Sequence, residues 1–538
     1  MAHDSSGSDQ EPAAQLPSER IGRSAGLAGS ATLTSRVLGL VREQVVAGVF
    51  GAGNDMDAFL VALRIPSLAR DLFAEGAMSA AFIPTFTKLV ARRGREAAWQ
   101  LANSVITALL LVTGVLVLLG ILFARPIAGL YAPEFAAVPG KLDLTATLGR
   151  IVLPFLPLVA IAAVCMGMLN SLRHYFIPAL APATFNVSTI VCLLVLTPLM
   201  PWLGVPTITV LAVATLVGGV TQIAIQWPTL RREGYRYRPL LNLRDPGLRQ
   251  MLVLMGPGTL GIASTQINLF VTTQLATYQG VGAVSWLQYA FRLIYLPIGV
   301  FGVSIATAVL PVVSQHAAND DRQGMGRALS RGLSLMMVIN LPASVGLAVL
   351  SDDIIQLLFE RGRFLPGDTA ATAMALRCYA VGLIGYSTAR IASPVFYALG
   401  RSRTAVITSS ATIALNLVAS AILTRTMGFS GLALSTSLCA LFHGGTLLTL
   451  LWRQLGTFDG HALGSTLVKT LASSLAMGLT VWGARSLLHE ALPGDRLIFE
   501  AVRVAVAISA GVATILAAAQ ILGIREVNDL VAKARRRA

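Results

Sequence analysis

Charge is what this sequence has least of. Only 12% of its 538 residues are Asp, Glu, Lys or Arg, against about 25% in a soluble domain. Hydrophobic residues make up 55%. A chain this long and this apolar does not fold as one soluble core and reads as a series of membrane spans. Cysteine is scarce: Cys165, Cys192, Cys378 and Cys439 all lie in apolar segments without CxxC spacing. That argues against a disulfide framework or a thiolate metal site and leaves them as core or lipid-facing residues. The six histidines form no HExxH-type pair, and neither a Walker-type lysine loop nor a dinucleotide glycine loop follows a strand. No cofactor, metal site or ATPase domain is expected, so energy has to come from substrate, ion or voltage gradients. With no nucleophile–base pair in view, an enzyme is the least favoured class.

The apolar segments define the architecture. A window of roughly 19 residues predicts fourteen spans at 25–50, 57–87, 98–124, 144–170, 177–199, 207–229, 248–278, 282–314, 328–349, 368–398, 404–424, 430–452, 464–484 and 500–523. The first two dozen residues are polar and lack the basic-then-apolar order of a cleavable signal. Residues 1–24 therefore read as a disordered tail, with the first apolar segment retained as a helix. The formal charge of +15 is not an aromatic-interleaved nucleic-acid patch, and no nucleic-acid partner is expected. Basic residues fall in alternate loops: Lys88, Arg92, Arg93 and Arg95, then Arg173, the run Arg231 to Arg249, Arg322 and Arg327, Arg401 and Arg403, and the tail ending at Arg537. That set holds about 24 against about 7 in the other, which includes Arg125, Lys141, Arg361, Arg363 and Arg496. A bias of this size places both termini in the cytoplasm. The run from Arg231, interleaved with Tyr235 and Tyr237, is first a topology signal and secondarily a candidate for contact with the anionic leaflet.

The chain also repeats itself. Ala62 and Arg64 align with Ala290 and Arg292 at an offset of 228, Arg173 and Asn186 with Arg403 and Asn416 at 230, and Gly218 and Gly219 with Gly444 and Gly445 at 226. Three matches in order imply two six-helix lobes of shared orientation, as in transporters that bind substrate between parallel repeats. The expected organisation is a first lobe at 25–230, a basic cytoplasmic linker at 231–247, a second lobe at 248–453, two further helices within 464–523 and a basic cytoplasmic tail at 524–538.

Against so little charge overall, the charge inside the spans stands out. The first two spans carry Arg36, Arg42, Glu43, Asp57, Arg64, Arg70, Asp71 and Glu75, and the eighth carries Arg292. An Arg or Asp at the centre of a span costs about 2.5–3.5 kcal/mol on insertion scales. These groups should face one another or a water-filled cavity. Asp57, Arg64 and Asp71 recur at seven-residue spacing, with Glu75 four further on, which is one helical stripe that Pro66 interrupts. Any single arginine is accounted for equally well by internal pairing or by snorkelling at a helix end. As a set, the five arginines exceed their acidic neighbours and suit an anionic ligand, because guanidinium stays charged when buried and matches phosphate oxygens with a planar fork. Glu43, Asp57, Asp71 and Glu75 read as charge partners or gating groups. Gln266, Asn268, Ser285 and Gln288 add hydrogen-bonding capacity or pack helices. Arg377 and Arg390 lie in the tenth span, near an interface and in the second lobe respectively. LFERGRF at Leu358–Phe364 reads as an amphipathic non-cytoplasmic loop.

SRVLGLVRE at Ser35–Glu43, GAGNDMDAFLVALRIP at Gly51–Pro66, LFAEGAMSAAFIP at Leu72–Pro84, SWLQYAFRL at Ser285–Leu293 and IGVFGVSIATAVLP at Ile298–Pro311, with LFERGRF, resemble the MurJ/MviN lipid II flippases of the multidrug/oligosaccharidyl-lipid/polysaccharide exporter superfamily. The resemblance implies an all-α polytopic fold of fourteen helices, two lobes and a central cavity in the bacterial cytoplasmic membrane. It implies movement of lipid II, the undecaprenyl-diphosphate-linked disaccharide-pentapeptide, from the inner to the outer leaflet, with membrane lipids and cell-wall synthesis proteins as its surroundings. It implies Arg36, Arg42, Arg70 and Arg292 as cavity arginines, Asp57 and Glu75 as associated acids, Ser67 and Ser285 as cavity-lining residues, and a lipid-tail groove in the last two helices. Two departures stand out: Phe291 occupies the position where an Asp commonly precedes the eighth-span arginine, and Tyr295 that of a following Glu. The second-lobe acids of the sodium site proposed for some members are also missing, so sodium coupling is not expected. A flippase for another polyprenyl-diphosphate glycan, and a multidrug or cation antiporter of the same superfamily, are the alternatives.

Overall fold

The computed structural model describes residues 18–70, 77–242, 249, 266–456, 460–494, 496–524 and 526–527, and the side chains of 18–28, 68–70 and 77–80 lie outside that description. Among the described residues the chain is helical, with no strand. In chain order the helices are α1 (Ser18–Phe50), α2 (Asn54–Arg70), α3 (Ala77–Leu122), α4 (Ala124–Tyr131), α5 (Lys141–Val152), α6 (Phe155–Ser171), α7 (Phe176–Leu196), α8 (Met200–Leu203) and α9 (Thr209–Arg232). The described part of α10 covers 266–277. There follow α11 (Ala283–Pro297), α12 (Val303–Ala318), α13 (Arg322–Val349), α14 (Ser351–Phe359), α15 (Pro366–Val381), α16 (Leu383–Ala398), α17 (Ser402–Met427), α18 (Phe429–Leu455), α19 (Gly460–Ala491) and α20 (Leu497–Ile521).

Ten helical stretches among the described residues are long and apolar enough to cross a membrane. The protein is a multi-pass α-helical membrane protein. Their outer faces fit this: Leu111, Val112, Val115, Leu118 and Leu122 of α3 are exposed and apolar, a belt too large for water and suited to lipid. Helices α1, α2, α10 and α15–α16 occupy the other four predicted spans and lie outside that set of ten. The reasons are physical. α1 and α2 hold the charged residues of the first motifs, α10 is described only in part, and α15 and α16 are separated at Gly382. α1 begins at Ser18, ahead of the expected disordered boundary at 24, because polar residues such as Glu19 and Arg20 extend a helix that hydropathy alone does not see.

Two irregularities shape the bundle. The stretch Ala77–Leu122 contains Gly94 at φ 80° and ψ 178°, so it is two helices meeting at a glycine, with Arg92, Arg93 and Arg95 exposed around the bend. Between α11 and α12 the chain passes through a π-helical turn, Ile298–Gly302. Pro297 supplies no amide hydrogen there, a common cause of such widening.

The helices pack in two similar groups. α1 packs on α7, α7 on α9 and α3 on α6; α16 and α17 pack on α18, and α12 on α13. Repeat-related asparagines do equivalent work. Asn186 on α7 donates to Ser35 O on α1 at 3.0 Å, and Asn416 on α17 donates to Asn268 Oδ1 on α10 at 2.7 Å. α19 and α20 pack on each other, and α19 also lies along α13. In the basic segment after α9, Tyr235 is fully buried, donates to Asn103 Oδ1 at 2.9 Å and stacks near Trp99. Tyr237 pairs with Thr107 at 3.2 Å. These tyrosines fasten the linker to α3 rather than to lipid, because Asn103 and Thr107 offer the phenols hydrogen bonds.

Candidate functional site

Between the two groups lies a cavity of about 860 Å³. Five arginines line it, Arg36 and Arg42 from α1, Arg64 from α2, Arg292 from α11 and Arg390 from α16, against one described acid, Glu43. Glu43 is buried, and its carboxylate accepts from both Arg42 and Arg292. The acid next to Arg42 thus also serves an arginine from the other half of the chain, although Phe291 and Tyr295 deny Arg292 local acids. A carboxylate bridging two guanidiniums leaves the group net positive, and the low dielectric of a partly buried site strengthens that field.

The remaining arginines also bond neutral groups among the described residues. Arg36 donates to Gly299 O at 3.1 Å, a carbonyl of the π-helical turn. Arg64 donates to Gln288 Oε1 at 2.8 Å, and Arg390 to the Tyr295 hydroxyl at 2.8 Å. Neutral acceptors orient the Arg36 and Arg390 guanidiniums without cancelling their charge. Gln266 and Asn268 also line it, while Ser67 faces a narrow adjoining cleft with Arg64 and Gln266.

Beside the cavity, Asp57 ties α2 to the start of α11. Its side chain is fully buried and pairs with Lys141 Nζ at 3.2 Å. It accepts from the Gly282 amide at 2.8 Å, the Ser285 amide at 3.1 Å and the Ser285 hydroxyl at 2.7 Å. Asp57 thereby caps the first turn of α11, where free amides and the helix dipole favour a carboxylate. Ser285 is fully buried and spent on this cap, which places it apart from the cavity-lining set. Gly282 has φ 89°, and an added Cβ there would stand 2.6 Å from Ala52 O. Tyr289 donates to Gly51 O at 3.2 Å and the Arg363 amide to Gly48 O at 2.9 Å. LFERGRF therefore buries Phe359 and Phe364 and closes over the end of α1.

Sequence reading thus placed Arg36, Arg42, Arg64, Glu43 and Arg292 among residues that the fold brings together. Arg70 ends α2, its side chain outside the described part, and Asp71 and Glu75 lie outside the described residues. Lys141, counted as a loop charge, is the residue it missed. The residue lies in a segment of intermediate polarity, and only its 4% exposure in the fold marks it as a partner for a buried acid.

A two-group helical bundle around a charged cavity, its groups tied by capping bonds, has the architecture of a membrane transporter. The model of the family "MurJ: Lipid II flippase MurJ" matches residues 46–500. A lipid II flippase MurJ of Burkholderia cenocepacia is 32% identical over 432 residues, covering 80% of this chain and 83% of its own. A probable lipid II flippase MurJ of Bdellovibrio bacteriovorus is 31% identical over 534 residues, 98% of this chain and 100% of its own. Among solved structures, a lipid II flippase MurJ in an inward closed conformation matches with a TM-score of 0.75 at 26% identity, covering 94% of this chain and 99% of its own. An inward-facing multidrug MATE transporter matches at 0.64 and 18% identity, which shows a shared fold. The chain belongs to the lipid II flippase MurJ family and is a transporter, not an enzyme.

Proposed function

We propose that this chain carries lipid II from the inner to the outer leaflet of the cytoplasmic membrane by alternating access. The observation that carries this reading is the arginine excess in one cavity, five guanidiniums with Glu43 as their described acid. A diphosphate presents oxygens that guanidinium forks hold bidentately. Arg36, Arg42, Arg64 and Arg292 supply this grip, with Arg70 and Ser67 placed beside them by the sequence. Glu43 keeps Arg42 and Arg292 together until substrate competes for them. Asp71 and Glu75 are assigned to the same group as charge partners.

The protein has fourteen spans and two lobes, 25–230 and 248–453, joined by the linker 231–247, with both termini cytoplasmic on the strength of the loop charges. In that orientation the Asp57 cap faces outward and closes the cavity on that side, and the cavity receives cargo from the cytoplasmic leaflet. The polyprenyl tail stays in lipid along α19–α20. Rocking of the lobes breaks the Asp57 cap and opens the cavity outward. Proteins of cell-wall synthesis then receive the cargo. A flippase for another polyprenyl-diphosphate glycan uses the same arginines; a cation antiporter is disfavoured by a cavity with a single described acid.

In cells that depend on this chain, Arg36→Ala, Arg42→Ala and Arg292→Ala are each expected to abolish the appearance of lipid II at the outer face while the chain remains in the membrane. Unchanged export in all three variants overturns the reading.

A further inference from the structure

The arginines of α1, α2 and α11 account for only part of the cavity lining. Opposite chemistry appears where α11 meets α15 and α16. Phe291 packs edge-on to Tyr379 at 5.3 Å and to Tyr386 at 6.2 Å, and lies 6.0 Å from Tyr295. All four rings line the cavity. The Tyr386 hydroxyl is buried and has no hydrogen-bond partner among the described residues. One helical turn further along α16, Arg390 donates to Tyr295 and lies over its ring at 5.9 Å. Among the described residues no carboxylate pairs with Arg390. With Phe291 and Tyr295 in place, this turn of α11 carries no acid.

Each feature narrows the ligand. A phosphate needs cations and gains nothing from a ring surface. A polyprenyl chain fits an apolar groove and gains nothing from a buried hydroxyl or a guanidinium. A sugar ring uses both. Its C–H face rests against the negative face of an aromatic ring, and its hydroxyl edge satisfies a group such as the Tyr386 phenol. We infer that the wall of Phe291, Tyr379 and Tyr386 is a sugar-binding subsite for one pyranose ring of the lipid-linked headgroup, and that Arg390 reads a carboxylate on that same headgroup. The subsite rests on the flippase reading and deepens it: the arginine group holds the diphosphate, and this wall distinguishes a glycan-bearing lipid from a bare one.

The test measures binding of two lipids, lipid II and undecaprenyl diphosphate without sugar, to the full-length protein in detergent. The unmodified protein is expected to bind lipid II the more tightly. Tyr386→Phe, which keeps the ring, and Phe291→Leu are each expected to weaken lipid II binding about tenfold, the scale of one lost hydrogen bond or contact. Binding of undecaprenyl diphosphate stays within about twofold. Arg390→Gln behaves likewise toward lipid II with its peptide carboxylates intact, and has no further effect once they are amidated. Variants that weaken both lipids equally overturn the subsite, as does unchanged binding of both. An unmodified protein that binds the two lipids equally also overturns it and leaves the diphosphate reading standing. One that binds neither overturns that reading and the subsite with it.

Discussion

Glu43 is the residue on which the charge balance of the cavity turns, because it is the acid shared by Arg42 and Arg292. Glu43→Gln removes the carboxylate that Arg42 and Arg292 share across a half-buried site. Their repulsion is expected to splay α1 from α11 and lower lipid II export at least about tenfold, read as outer-face lipid II against the amount of chain in the membrane. Asp57 is a different case, since both it and Lys141 are nearly inaccessible. Removing one partner of a buried pair costs about 3–5 kcal/mol, so Asp57→Asn should lower the thermal unfolding temperature in detergent. Adding Lys141→Met should restore part of the loss, because the orphaned ammonium is then gone. The arginines were legible in the sequence because charge in an apolar run has to be explained. The pairings were not: Glu43 meets Arg292 across 249 positions and Asp57 meets Ser285 across 228, separations that no local pattern encodes.

Individual elements decide where the chain can close. The loop after α14 turns at Gly362, with φ 59°, and an added Cβ would stand 2.2 Å from Gly48 O. Gly362→Ala combines a strained backbone with a backbone clash. It should detach LFERGRF from α1 and raise the labelling of a thiol placed beside it, with the fold retained. A second cluster fastens α19 and α20 to the same region. Asp352 and Asp353 at the start of α14 meet Arg377 of α15 and Arg485 of α19, the latter at 2.6 Å from Asp353. His489 bonds Asp353 at 2.9 Å and accepts from Arg503 of α20 at 3.0 Å. Arg485→Ala leaves the buried Asp353 with fewer partners, so hydrogen exchange in α19–α20 should speed up while α7 and α9 stay protected. Hydropathy located these helices but not their ends or breaks. It is blind to the polar first turns of α1, to the bend at Gly94 and to the π-helical turn after Pro297, since those depend on backbone geometry rather than on transfer energy.

For the whole molecule, the outward closure at Asp57 proposed above predicts a one-sided accessibility. Thr272 lines the cavity. With a cytoplasmic amino terminus, Thr272→Cys should react with a membrane-impermeant maleimide in inside-out vesicles and stay protected in right-side-out ones; combining it with Asp57→Asn should expose it from the outside. Equal labelling from both sides at the start sinks the one-sided seal. By itself the sequence determined that this is a helical membrane protein with charge it cannot leave in lipid, and its repeat hinted at two related groups of helices. Those are properties of composition and period, which act residue by residue on the cost of solvation. The tertiary structure alone decided that five arginines line one cavity in which Arg42 and Arg292 share Glu43, that Ser285 and Lys141 serve Asp57, and that Phe291 and Tyr295 join an aromatic wall with Arg390. Such facts come from side chains far apart in the chain being packed into one low-dielectric space, where each partner is chosen by geometry and by the need to satisfy a buried polar group.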